Sequence, residues 1–284
     1  RAREAIEAQN LGGGIVTAQM LAEQVAGQDT WTPLSERAAK DRTWAYGHIV
    51  VDEAQELSPM AWRALLRRCP SRSFTVVGDL DQRRGSKRPS TWEKALGPAA
   101  RALAAEYALT VSYRTPATLT TLAEGVVARA GVPVLYPMTA VRDVDDCYRV
   151  THVDAPEDAP ASSEDTSSKD NSPLWRAVAQ AQREAEERLD REAGTSRGRI
   201  AIIVGNERAR AWGADVDGET ALSERVSLLS AVASKGLEFD SVILVEPAEI
   251  LSDGVGDLFV ALTRATHDVH VVHCAPLPAG MEEW

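Results

Sequence analysis

The stretch HIVVDEAQELSPM, residues 48–60, decides how the rest of the chain is read. His48 to Val51 form the apolar end of a strand, and Asp52 and Glu53 follow side by side. Adjacent carboxylates at a strand tip repel each other unless something positive sits with them. Either they meet a magnesium–phosphate group or they are a solvated strand end.

The residues that follow set the fold class. Ser58 reads as an N-cap and Pro59 as the first helical position, with Trp62, Leu65, Leu66 and Cys69 on one face. FTVVGD, residues 74–79, is a short Val-rich strand ending in a polar turn. Strand, helix, strand is the grammar of a parallel α/β sheet. In such sheets ligands sit at the carboxyl ends of strands, where Asp52 and Asp79 lie.

A second α/β unit opens near Tyr107. ALTVSYRTP (108–116) reads as strand then turn, with Thr115 capping a helix that Pro116 opens. Leu119, Leu122, Ala123, Val126 and Val127 face inward and Gly131 stops the helix. CYRVTHV (147–153) is a strand. Residues 154–173 are acidic and rich in Pro and Ser, which predicts a disordered loop. Ser172 and Pro173 start a helix with the stripe Leu174, Val178, Ala181, Ala185, Leu189. Its charged face, REAEERLDRE (183–192), reads as solvated. RIAIIVG (199–205), RVSLLSA (225–231) and SVILVEP (241–247) are strands, and a helix near 255–266 and the strand DVHVVH (268–273) close the unit.

The 284 residues suffice for two domains, and 44% hydrophobic with 26% charged residues is ordinary for a globular protein. No membrane span and no signal peptide are read in the sequence. Cys69, Cys147 and Cys274 have no metal-type spacing and read as buried free thiols in a reducing cytosol, so the expected location is cytoplasmic. The five histidines show no ligand spacing either. A net charge of −11 argues against strong autonomous nucleic-acid binding, though not against a local basic groove. The opening RAREAIEAQN begins with Arg1 and has weak helical periodicity to about residue 45, so the chain reads as a piece of a longer one.

Companions in order sharpen the meaning of Asp52 and Glu53. GDLDQ (78–82), YRT (113–115), SKGLEFD (234–240) and VALTRAT (260–266) each sit at a strand–loop or loop–helix junction. Asp52 can hold Mg²⁺ through water and Glu53 can polarise an attacking water. Gln82 can sense a γ-phosphate or that water. Arg114 and Arg264 can offset charge on a transferring phosphoryl group. Tyr113 offers a flat ring to a base and Glu238 an acceptor for ribose hydroxyls. Gly236 permits a backbone shape that a β-carbon would forbid. Lys235 either contacts nucleic-acid phosphate or caps a turn, and Trp92 either stacks on a base or packs on its own helix.

This series resembles superfamily 1 helicases of the UvrD/Rep type. VVDEAQE (50–56) is similar to motif II, VVGDLDQ (76–82) to motif III, LTVSYRT (109–115) to motif IV, SKGLEFD to motif V and LFVALTRAT (258–266) to motif VI. The resemblance implies RecA-like (P-loop NTPase) parallel sheets flanked by helices. Residues 1–106 would be the remainder of domain 1A and 107–284 domain 2A. It implies ATP and Mg²⁺ as cofactors and single-stranded nucleic acid as a partner. Within the family the short interval between motifs IV and V resembles the HelD group, which implies RNA polymerase as a partner. GDLDQRRGSKRPSTW (78–92) also lacks the aromatic that UvrD-type proteins place just after the glutamine.

Two departures matter. Residue 56 is Glu where the family usually has Asp. No lysine of the chain lies in a G-x-x-x-x-G-K-[ST] loop, and the glycine-rich LGGGIV (11–16) has no lysine at all. Either the phosphate cradle lies upstream in a parent protein, or this is a degenerate homologue that works without ATP. The intact Asp52, Glu53, Gln82, Arg114 and Arg264 favour the first.

Overall fold

A computed structural model describes residues 45–83, 89–132, 134–154, 172–214 and 224–282. The chain divides into two compact units, Arg1–Val51 with Pro59–Thr75, and Asp52–Ser58 with Val76–Trp284. The domain boundary read at 106/107 thus falls inside the second unit. The helical reading of 1–45, the glycine-rich 11–16 and nearly all of the acidic 154–173 stretch lie outside the described residues.

In the first unit, strands β1 (Ile49–Val51) and β2 (Phe74–Val76) pair, and helix α1 (Pro59–Arg68) joins them. Trp62 is fully buried, edge-on to Phe74 with ring centroids 6.4 Å apart. Cys69 is buried as the apolar face requires. The two ring nitrogens of His48 meet the hydroxyls of Ser73 and Thr75 at 2.8 and 3.1 Å. Arg67 and Arg68 sit in the last turn of α1, where cations suit the helix dipole.

The second unit opens with helix α2 (Trp92–Leu96), strand β3 (Val111–Ser112), helix α3 (Ala117–Arg129) and strands β4 (Thr139–Ala140) and β5 (Tyr148–His152). Helix α4 (Pro173–Glu192), strand β6 (Ile200–Val204), helix α5 (Asn206–Ala211) and strands β7 (Val226–Ser230) and β8 (Phe239–Val245) follow. Helices α6 (Pro247–Asp253) and α7 (Val255–Leu262) lead into strand β9 (Ala265–His273). β3 and β4 form a parallel pair. The main sheet has the order β5-β9-β8-β6-β7, with every pairing parallel. Parallel sheets flanked by helices are the class the sequence predicts.

Both faces of this sheet are covered, so its strands carry near-continuous apolar runs. Ala201, Ile203, Val242, Leu244, Val269 and Val271 pack under α3, α6 and α7. Ile200, Ile202, Val204, Ile243, Val245 and Val272 pack under α4 and α5. The alternation along β6 and β8 is the period-2 consequence of the pleat. Helix α4 buries the stripe read from its sequence, and Ser172 caps it by accepting from the Trp175 N–H at 3.1 Å.

Three local expectations are corrected. Thr115 does not cap α3: its buried hydroxyl donates to the Thr263 carbonyl at 3.4 Å. The cap comes from Asp143, which accepts from Thr118 N at 3.1 Å and from the Thr118 hydroxyl at 3.0 Å. The strand expected over ALTVSYRTP shortens to Val111–Ser112, because only these residues gain a partner, Thr139–Ala140. The helix expected near 255–266 is shorter, and another helix, Pro247–Asp253, precedes it across Gly254. The second ends at Leu262, where the Thr263 hydroxyl turns back onto the Phe259 and Val260 carbonyls. Among the described residues, no helix is long and apolar enough to cross a membrane.

Candidate active site

The site begins at the tight turn after Val51. Glu53 adopts the left-handed conformation, φ 49° and ψ 38°, and enters a 3-10 turn over Ala54–Glu56. A non-glycine residue held there typically costs about 1–3 kcal/mol, so the surroundings must enforce it. They do so through Gln55, whose side chain is fully buried. Its amide nitrogen donates to Glu53 Oε2 at 2.6 Å, and its amide oxygen accepts from Asp79 N at 3.0 Å. Asp52 Oδ1 accepts the Glu53 N–H at 2.8 Å. Ala54 N donates to the Val77 carbonyl at 3.1 Å. One buried glutamine thus joins the turn at 52–56 to the turn at 78–82.

That junction explains a glycine. A β-carbon on Gly78 would lie 2.3 Å from Gln55 Oε1 and 2.9 Å from Trp92 Cη2. The half-buried Trp92 therefore packs over Gly78.

Asp79 caps the 3-10 turn Leu80–Gln82 by accepting from Asp81 N at 2.8 Å. Its other oxygen accepts from the Gln82 amide at 2.9 Å. Burial is the largest influence on this carboxyl and raises its pKa above the usual aspartate value. Asp81 is buried and accepts from Leu135 N at 3.0 Å, which fixes the turn to the loop before β4. With its nitrogen committed to Asp79, Gln82 presents its amide oxygen to Arg264 Nη2 at 3.3 Å.

Arg264 is 4% exposed. Residues 256–262 of α7 are all buried, which fixes where the next residues point. Its guanidinium also donates to the carbonyls of Val260 at 3.2 Å and Leu237 at 3.4 Å. Burial, then the charge of Arg114, brings its pKa down to about 10. It is still a cation at neutral pH.

Arg114 is half-exposed and ion-paired with Glu238. Arg142 holds the YRT turn by donating to the carbonyls of Tyr113 at 3.2 Å, Arg114 at 2.7 Å and Thr266. Tyr113 is 79% exposed, so its ring is open to a planar ligand. Gly236 has φ +75° with nothing within 4 Å of a built β-carbon, so backbone conformation and not space demands glycine. Lys235 turns inward. Its ammonium donates to the Gln82 carbonyl at 2.9 Å, pairs with Glu56 and lies 3.4 Å from Glu53 Oε2.

Glu53, Gln82, Lys235 and Arg264 are thereby linked through short contacts in one unit, and the Arg114–Glu238 pair acts on Arg264 through its charges. Sequence reading gave no role to Gln55 or Arg142 and only noted Glu56. No local pattern marks Gln55 as a bridge or Arg142 as a clamp, because the Asp79 contact of Gln55 and the Tyr113 contact of Arg142 span 24 and 29 residues. Glu56 was visible only as a departure from the motif II pattern.

Among the described residues, no three His, Cys, Asp or Glu side chains gather to hold a metal ion. Asp52, exposed to solvent, and the half-buried Glu53 remain as a two-carboxylate edge. This donor set suits magnesium, which is usually bound through one or two carboxylates with water and phosphate oxygens completing its shell.

No family model matches the chain, and no curated protein matches it. Among solved structures it is similar to an arterivirus helicase, nonstructural protein 10: 16% identity, TM-score 0.41, covering 84% of this chain and 41% of that one. The complex of an arterivirus nonstructural protein 10 helicase with DNA gives 18% identity and TM-score 0.40, covering 80% and 39%. The C-terminal domain of a possible DNA helicase from Lactobacillus plantarum gives 17% identity and TM-score 0.35, covering 60% and 92%. The chain spans less than half the length of the arterivirus helicases.

Proposed function

We propose that this chain carries the hydrolysis half of an ATP-dependent, superfamily 1 helicase-like motor. Residues 1–106 would complete a RecA-like domain 1A, and 107–284 would form domain 2A. The supporting observation is the Gln82 side chain, held between Asp79 and the buried cation Arg264, with Glu53 joined to it through Lys235 and the charge of Arg114 felt at Arg264. A structural salt-bridge cluster would pair each charge with its opposite. Here a neutral amide faces a buried arginine, and a glutamate is held at the tip of a strained turn. Groups so placed suit charge that develops on a transferring phosphoryl group.

In this reading Glu53 orients the attacking water, and Gln82 reports on the terminal phosphate. Arg114 and Arg264 offset transition-state charge. Tyr113 receives the base and Glu238 the ribose. Bound at Asp52 and Glu53, Mg²⁺ would supply charge neutralisation between phosphate oxygens. The phosphate cradle has no counterpart in this sequence and would be supplied by the rest of a parent protein, so the piece alone is inert. Single-stranded nucleic acid is the track of such a motor. A narrower form of the proposal makes the parent a HelD-like factor that binds RNA polymerase. The net charge of −11 supports it, because acidic surfaces suit basic protein partners better than nucleic acid.

The test is Glu53→Gln in the P-loop-containing parent. Hydrolysis should fall to background while binding of a fluorescent ATP analogue persists. Undiminished hydrolysis would refute the reading.

A further inference from the structure

The sequence leaves Lys235 with a role toward nucleic acid or as a turn cap, and the structure surrounds it with oxygens of the turns at 52–56 and 78–82. Its side chain is only 11% exposed, and its ammonium faces three oxygens: a Glu56 carboxylate oxygen, the Gln82 carbonyl at 2.9 Å and Glu53 Oε2 at 3.4 Å. Such an all-oxygen set is what a hard cation takes. Glu56 is part of the reason the pair forms. It stands in the 3-10 turn that follows Glu53, and its carboxylate reaches across the turn to the ammonium.

We propose that Lys235 is a positioning residue that serves as a built-in cation at the motif II turn and yields to a divalent metal. The inference rests on the reading of Asp52 and Glu53 as the magnesium edge. A metal ion joining Glu53 places two further positive charges within a few ångströms of the ammonium. Like charges at that distance repel even where solvent screens them. Lys235 therefore leaves Glu53, and the segment that carries it is released. That segment continues through Gly236, in left-handed conformation at φ +75°, to Glu238, the partner of Arg114. Metal arrival is thus coupled to the motif V loop and, through Glu238, to Arg114. Before metal binds, Lys235 keeps Glu53 compensated in its strained turn.

The test uses this chain and Mn²⁺ alone, with free Mn²⁺ followed by electron paramagnetic resonance. The Glu53 and Glu56 side chains keep 43% and 31% of their surface exposed, so solvent screens their pairing with the ammonium and it is worth up to about a fivefold change in affinity. Lys235→Gln and Lys235→Met, the second keeping the aliphatic stem, should each bind Mn²⁺ about fivefold tighter than the parent chain, and Lys235→Arg should not. Adding Asp52→Asn should abolish the gain. Hydrogen exchange supplies a second readout. Mn²⁺ should speed exchange of the 231–238 amides in the unmodified chain and leave Lys235→Met, already fast, unchanged. Equal or weaker Mn²⁺ binding by both neutral variants, including no binding by any form, overturns the proposal. A gain in affinity that survives Asp52→Asn overturns it too. If the metal results hold while Glu53→Gln leaves hydrolysis by the parent protein intact, the coupling stands and the ATPase reading falls.

Discussion

Arg264 and Gln82 lie 182 residues apart in sequence, and the guanidinium donates to the amide oxygen at 3.3 Å. Gln82 can accept there because its nitrogen is already committed to Asp79 at 2.9 Å. The orientation of one amide is therefore set by a carboxylate on one side and a buried cation on the other.

This chain alone should not turn over ATP. Its sequence offers no phosphate-cradling loop, and Glu53, Gln82, Arg114 and Arg264 have nothing to hold the triphosphate in line. A steady-state assay with Mg²⁺ and single-stranded DNA should read background. Turnover that Glu53→Gln abolishes would contradict this.

Gly78→Ala should destabilise the second unit. The added methyl would meet Gln55 Oε1 at 2.3 Å and the Trp92 ring at 2.9 Å, so either the glutamine bridge or the indole must move. Overpacking of this kind typically costs about 1–3 kcal/mol. Urea unfolding measures it, and an unchanged midpoint would show that the junction yields freely.

Asp79 should give the stability a pH dependence of reversed sign for a carboxylate. Burial raises its folded pKa above 3.8, so on raising the pH the unfolded chain loses this proton first. Stability is therefore lost as pH rises from the unfolded value through the folded one, and the cost is constant above that window. Asp79→Asn removes this contribution. The difference in urea midpoint between the two forms, followed upward from pH 3.8, should move in favour of the variant. A difference that is flat in pH, or moves the other way, would mean that the hydrogen bonds from Asp81 and Gln82 outweigh burial.

What the sequence made legible divides by range. Helix α4 was readable to the residue, since Ser172, Pro173 and the stripe from Leu174 to Leu189 are local signals. The buried strands β6 and β8 were readable as apolar runs. Thr115 misled because a cap was inferred from adjacency, whereas Asp143 reaches in from 25 residues away. For Lys235 the sequence left a phosphate contact or a turn cap, and nothing local announces Glu56 across 179 residues. The site's residue types were legible from their order along the chain. Gln55 as the brace, and Arg142 as the clamp on the YRT turn, depend on where the backbone brings distant carbonyls and amides.

The most direct measurement is single-turnover hydrolysis by Arg264→Ala in the P-loop-containing parent that the proposed function calls for, beside its affinity for a fluorescent ATP analogue. Transition-state charge peaks as the bond breaks, so the arginine should matter more for the chemical step than for binding. Arginine fingers are typically worth about 10³–10⁵ in rate, and Arg114 shares the load here. The expected result is a rate at least about 10²-fold lower with nucleotide affinity changed far less. Arg264→Lys should rescue poorly, because an ammonium cannot contact Gln82 and the phosphate together. Near-normal hydrolysis in Arg264→Ala would make the buried guanidinium a packing element and contradict the account.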